Sequence, residues 1–157
     1  MARRMDTYAL RRATHDDIDV LVRHRRKMWC DIAEYTPEEL DASDVHYREW
    51  VAPRLRSAEL AGIVALRGDE AAASGIVWKQ PIQPRPRWTE GSHAYVMSMY
   101  TEPAHRGRGL APRIVHEAMA WAKENGCSVM ALHASQLGRP VYEKMGFERT
   151  WEMRLRL

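Results

Sequence analysis

The sequence predicts an α+β fold in which a mixed β-sheet is flanked by helices. Three observations carry this. The first half opens strand-then-helix and later shows two β-rich runs split by a turn. The second half runs strand, glycine turn, helix, strand, and two strands joined by a helix-length crossover pair in parallel. Hydrophobic residues make up 45% of the 157 positions, enough to bury a core without disulfide or metal staples, so residues 1–157 are read as a single domain.

Residues 8–12 alternate as a strand does, and Thr14 with Asp17 three positions later forms a capping box for a helix carrying Ile18, Leu21 and Val22. After a break at residues 35–37, Pro37-Glu38-Glu39-Leu40 is a helix start with proline in the first turn, and the pattern resumes from Trp50 to Leu55. The runs 62–67 and 72–78 flank Gly68-Asp69-Glu70, a hairpin signal. Three prolines within 81–88 exclude a central strand and predict a loop at a rim or lid. Residues 93–101 read as a strand and Gly107 to Gly109 as a turn; Ile114, Val115, Ala118, Trp121 and Ala122 then recur at helical spacing. Gly126 stops that helix, 128–133 is a short apolar strand, a last helix starts within 135–140 and ends at Gly146, and 147–157 is a closing strand.

Charge excludes several classes. With 24 Lys+Arg against 21 Asp+Glu the net charge is only +3, so disorder and polyelectrolyte binding lack their signature and no nucleic-acid partner is expected. The run Arg23-His24-Arg25-Arg26-Lys27 lacks interleaved aromatics and reads as a basic helix surface. No membrane span and no leader segment in the first ten residues are visible, which makes a cytoplasmic location the expectation. Cys30 and Cys127 read as reduced, and neither they nor His116-Glu117 have metal-ligand spacing, so no metal is expected.

The turn Arg106-Gly107-Arg108-Gly109-Leu110-Ala111 lies where a strand hands over to a helix. Free backbone N–H groups at the positive end of the helix dipole make an anion cradle there, and glycine lets a phosphate approach the main chain. On the glycines alone, a tight turn with solvated arginines explains as much. A dinucleotide fingerprint is excluded by Pro112 in place of a third glycine, and no Gly-Lys-Ser/Thr ends a Walker loop.

The stretch from Thr101 to Ala111 resembles the acyl-CoA signature Arg/Gln-x-x-Gly-x-Gly/Ala of the GNAT superfamily of N-acetyltransferases, with Arg106, Gly109 and Ala111 at the fixed positions. Val141-Tyr142-Glu143-Lys144-Met145-Gly146-Phe147 resembles the family's second signature, Tyr-Glu-Lys-x-Gly-Phe. The resemblance implies acetyl-CoA as co-substrate, its diphosphate on the glycine turn and its pantetheine arm between splayed parallel strands that form the acyl-CoA cleft. Implied binding residues are Met99, Tyr100, Thr101, Arg106, Gly107, Arg108, Gly109, Leu110, Ala111, Ser135 and Tyr142. Ser135 stands where the family often has an asparagine, and Pro112 removes one amide donor beside the signature.

Acetyl transfer to an amine needs a neutral nucleophile, donors at the developing oxyanion and a proton for the leaving thiolate. An alkylammonium titrating near 10.4 lies about 4 kcal/mol from its reactive form at neutral pH, so a base is required. The candidates are His133, Glu102, Asp31 and Glu34, with His133 closest in unperturbed pKa. By resemblance Tyr142 is the general acid. Backbone N–H groups near Met99 are the simplest oxyanion donors.

Asp31, Glu34, Glu38, Glu39, Asp41, Asp44 and Glu49 crowd the region that would border the acceptor, and Trp29, Tyr35, Trp78, Trp88 and Tyr100 could wall an amine pocket. The leading expectation is an N-acetyltransferase acting on a primary amine of a small molecule in a ternary complex. A peptide or protein N-acetyltransferase and a non-catalytic acyl-CoA sensor are the alternatives. A homodimer is the default assembly.

Overall fold

The computed structural model describes residues 7–157. Part of the stretch read above for a leader segment, residues 1–6, lies outside the described residues. Among the described residues no helix is long and apolar enough to cross a membrane.

Strand β1 (Ala9–Arg12) leads through a short 3₁₀ turn into helix α1 (Ile18–Ile32), followed by α2 (Pro37–Arg56), β2 (Leu60–Arg67), β3 (Glu70–Pro81), β4 (Ser92–Thr101), α3 (Leu110–Glu124), β5 (Met130–Leu132) and α4 (Arg139–Lys144). The five strands form one sheet in sequence order, antiparallel from β1 to β4, with β5 added parallel to β4. The sheet is therefore mixed, as the strand–helix–strand order required.

Local chemistry explains the helix starts. The Asp17 carboxylate accepts the Thr14 N–H at 2.7 Å and a two-pronged contact from the Arg11 guanidinium, which hold its pKa below the usual carboxylate range. At α2 the Thr36 hydroxyl accepts the Glu39 N–H, and the Glu39 carboxylate accepts the Thr36 N–H. The gap expected before Trp50 is absent. The helix runs unbroken through Pro53, which removes one intrahelical bond near the end while Tyr47 and Val51, one turn apart, hold the helix on the core.

Two apolar layers sandwich the sheet. On one face Ile114, Val115, Ala118 and Trp121 of α3 pack on Ile63, Val77, Ala94 and Val96, and Tyr142 of α4 and Met145 just after it join them. On the other, Ile18, Leu21 and Val22 of α1 with Tyr47 and Val51 of α2 cover Leu60 and Ile76.

A β-bulge shapes the site. Met97 pairs with Ile76 and Tyr100 with Ser74, which leaves Ser98 and Met99 opposite Gly75 alone, and Ser98 takes a φ of +55°. The absence of a side chain at Gly75 makes room for Met99: a Cβ there would lie 2.2 Å from the Met99 sulfur and would force it to shift. The parallel ladder with β5 stops at Val96 and Leu132, so the strands part just where β4 bends.

Two expectations fail at this end of the chain. Residues 128–133 shorten to β5, because Ser128 turns aside to bond Glu90 through its N–H and hydroxyl. The closing strand over 147–157 is not formed. A strand needs a neighbouring edge, and β5 offers one only three residues long. The last helix begins at Arg139, within the expected 135–140, after a turn in which the Ser135 hydroxyl accepts the Gly138 N–H at 3.1 Å.

Candidate active site

The exit of β4 is fixed first. The Glu102 N–H donates to the Ala72 carbonyl at 2.8 Å, and a 3₁₀ turn, Pro103–His105, follows. His105 is buried there, sharing a 2.8 Å hydrogen bond with the Tyr8 hydroxyl through Nδ1, and its Nε2 lies 3.1 Å from Glu70. This histidine ties the turn to β1 and β3, a role that only the tertiary contacts reveal.

Gly107 and Gly109 both take a φ of +72°, and a Cβ on either would meet nothing within 4 Å. The turn is thus open on the side where its backbone faces outward. Leu110 is buried in the core and anchors the first turn of α3, so the amides at that end point into the opening. Arg108 stands between the two glycines and Ala111 in the first turn of α3; Pro112 adds no donor. These residues fit a diphosphate: glycines in the left-handed region, an open face and a positive helix end.

Arg106 braces the turn. Its Nε donates to the Thr101 carbonyl at 3.0 Å, its terminal nitrogen donates to Asp31 at 2.8 Å, and its guanidinium lies over the Tyr100 ring. Asp31, one of the candidate bases, is thereby engaged. The Met99 and Tyr100 side chains are turned inward, Met99 onto the α3-side core and Tyr100 against the ring of His24, so it is the main chain of 99–101 that borders the parted strands.

Glu102 is drawn away from that gap. Its carboxylate lies 2.7 Å from the Lys27 ammonium and 3.4 Å from His24 Nε2. His24 is fully buried and shares a 2.8 Å hydrogen bond with the Ser74 hydroxyl through Nδ1; burial holds its pKa down to about 4. The Ser74–His24–Glu102–Lys27 chain joins α1, β3 and the end of β4.

Tyr142 and His133 lie on the two sides of the gap. Tyr142 is half-buried on the α3 side, edge-on to Phe147 at 5.8 Å, and burial pushes its phenol pKa up, so it stays a hydrogen-bond donor at neutral pH. His133 is exposed past the end of β5, on the strand face opposite Leu132. The Tyr95 hydroxyl and His133 Nδ1 share a hydrogen bond, and Arg154 approaches Nε2 at 3.4 Å. Rings of Trp88, His93, Tyr95 and His133 follow one another at 5.7, 5.7 and 6.3 Å. Tyr95 and His93 carry no sequence signal of a site. Alternation places them on one face of a strand, but not beside His133.

Much of the acidic surface is occupied. Asp41 and Asp44 both pair with Arg26, and Glu39 caps α2. Trp29 and Tyr35 meet edge-on, Trp78 meets Trp50, and Arg25 stacks over Tyr47 at 4.4 Å. Of the five candidate wall aromatics, Trp88 belongs to the ring row.

A parallel strand pair that parts beside an open, left-handed glycine turn defines a class of acyl-transfer fold. The family model described as Acetyltransferase (GNAT) family matches residues 22–147, and the chain belongs to this family of acetyltransferases. It is 28% identical over 117 residues to the glucosamine 6-phosphate N-acetyltransferase of Trypanosoma brucei brucei, covering 68% of this chain and 79% of that protein. A GCN5-related N-acetyltransferase from Ralstonia eutropha JMP134 is 28% identical with a TM-score of 0.88, over 96% of this chain and 99% of that one. A chain from Clostridium acetobutylicum, described as a predicted acetyltransferase with acetyl-CoA, is 29% identical with a TM-score of 0.86 over 96% of both chains.

Proposed function

We propose that this protein transfers an acetyl group from acetyl-CoA to a primary amine of a small molecule, by direct attack while both are bound. The open turn at Gly107 and Gly109, beside the point where β4 and β5 separate, carries the reading.

The amides of residues 107–111 would hold the diphosphate, with Arg108 adding charge. Acetyl-CoA supplies the thioester whose C–S bond breaks as the new C–N bond forms. His133, steered by Tyr95, takes the proton that the ammonium loses to become the attacking amine, and the second N–H proton, released once the C–N bond has formed, restores the proton that Tyr142 gives to the sulfur. Tyr142, held protonated by burial, donates its O–H toward the departing sulfur. Asp31 and Glu102 act as braces for Arg106 and the β4 exit.

The Trypanosoma relative's name makes an amino-sugar phosphate the first acceptor to assay. Arg154, close to His133, would offer such a phosphate counter-charge. The test is free-thiol release from acetyl-CoA with glucosamine 6-phosphate, polyamines, amino-acid derivatives and peptides as acceptors. The proposal expects turnover with a small amine, and a fall in kcat of about 100-fold in Tyr142→Phe with acetyl-CoA affinity retained. Full activity in Tyr142→Phe would remove the acid role. Binding of acetyl-CoA without turnover of any amine would make the protein a sensor.

A further inference from the structure

The layer of α1 and α2 holds a cation that the fold does not neutralise. Arg26, Arg48 and Arg54 each lie 2.6–3.7 Å from a carboxylate. Arg25, half-buried on the same layer, has no carboxylate at that range among the described residues. Its terminal nitrogen donates to the Ser43 hydroxyl at 2.9 Å, Asp44 acts on it only from a distance, and burial lowers its pKa. The guanidinium is stacked instead over the rings of Tyr47 at 4.4 Å and Trp29 at 5.6 Å. A cation drawn partly out of water without a counter-charge attracts an anion more strongly than a surface arginine does.

The group beside it is a second donor. Tyr47 is only 7% exposed, and its hydroxyl makes no hydrogen bond of ordinary geometry among the described residues. The Ser98 hydroxyl lies next to it, which brings α2 up to the bulge in β4. Burial pushes the Tyr47 pKa up to about 12, so the phenol keeps its proton and can donate it to an anion. Tyr95 and His133 stand on this same face of the sheet, because Ala94, Val96 and Leu132, their neighbours along the strands, face the α3-side core. Ser98, Tyr47 and Arg25 thus succeed one another from the bulge outward, on the side where the proposed base lies.

We propose that Arg25 and the Tyr47 hydroxyl, walled by Trp29, form a subsite for an anionic group, a carboxylate or a phosphate, carried by the acceptor a few bonds from its amine. The inference rests on the proposed acetyl transfer and narrows it. Amino acids and amino-sugar phosphates fit the subsite; polyamines and neutral amines do not. Asp41 and Asp44, which would draw a polyamine to this region, face Arg26.

Calorimetry on the protein saturated with coenzyme A, where no transfer can occur, tests the subsite without relying on turnover. The probes are two matched pairs, glucosamine 6-phosphate with glucosamine and alanine with alaninamide, and the pair that responds distinguishes phosphate from carboxylate. The anionic member of at least one pair should bind about 30-fold more tightly than its neutral partner. Arg25→Gln should cut that preference to about threefold or less, Arg25→Lys should keep part of it, and Tyr47→Phe, which removes only the hydroxyl, should weaken anion binding about tenfold. Retained coenzyme A affinity reports that each variant is folded. No preference for the anion in either pair, or a preference that Arg25→Gln leaves intact whether or not Arg154→Gln removes it, would overturn the inference. Acetylation of neutral amines alone would do the same and leave acetyl transfer standing, whereas an Arg25-dependent preference with no amine acetylated would remove the transfer and keep the subsite.

Discussion

Mild acid is expected to loosen this fold through one residue, His24. Its imidazole is fully buried, bonded to Ser74 and facing Glu102, and its pKa falls from 6.5 to about 4, chiefly because burial penalises the charged form and only partly because Glu102 opposes this. The unfolded chain therefore takes up a proton that the folded chain refuses. The stabilisation from neutral His24 is complete above ~6.5 and is lost as the pH falls toward about 4. The whole span corresponds to about 3 kcal/mol, of which about 2 kcal/mol is lost between about pH 7.5 and about pH 5. For a domain of this size that is a drop in Tm of about 4–8 °C. Calorimetry on the wild type and on His24→Gln, which keeps polar contact with Ser74 but cannot titrate in this range, isolates the effect from His93, whose pKa burial also lowers. The variant should be less stable at neutral pH and show a flatter pH dependence. If wild type and variant lose stability in parallel on acidification, the assignment of the buried proton to His24 is wrong.

Other expectations address the site. Gly109→Ala places a side chain at a φ of +72° and fills part of the open amide face, so acetyl-CoA affinity measured by calorimetry should fall about tenfold or more; Gly126→Ala, at a φ of +75° beyond α3, should be similarly destabilised by about 1–2 kcal/mol and bind normally. Gly75→Ala drives a Cβ against the Met99 sulfur and should lose about 1–3 kcal/mol in urea denaturation, with Met99→Ala in the same chain restoring part of it. Asp31→Asn releases Arg106 from an exposed ion pair, so stability should change by less than about 1 kcal/mol. Acetyl-CoA should then bind a few-fold more tightly at low salt, a gain that disappears at high salt.

Features written into neighbouring residues are legible in the amino-acid order. Periodicity places Ile114, Val115, Ala118 and Trp121 on one helix face, the capping pair Thr14 and Asp17 marks where the first helical region begins, and the glycines at 107 and 109 announce a turn that no other residue type adopts easily. Parallel pairing follows from order alone, since a helix-length connection cannot close a hairpin. The closing strand is the instructive failure: alternation from Trp151 to Leu157 specifies a face, but a strand also needs an edge to bond to, and pattern says nothing about edges.

What only tertiary structure decided depends on contacts across many residues. Glu102 and His133 are both candidate bases in the sequence, with His133 the closer in unperturbed pKa. The bulge at Ser98 and the packing of α1 carry one into contact with buried His24 and half-exposed Lys27 and leave the other exposed beside Tyr95. Likewise Asp31 becomes a partner for Arg106, 75 positions away. Local sequence determines which residues share a face or a turn because those relations are set by backbone geometry over a few positions. Which side chains meet, and hence which proton moves, is set by how the sheet stacks its layers, and no short window of residues contains that information.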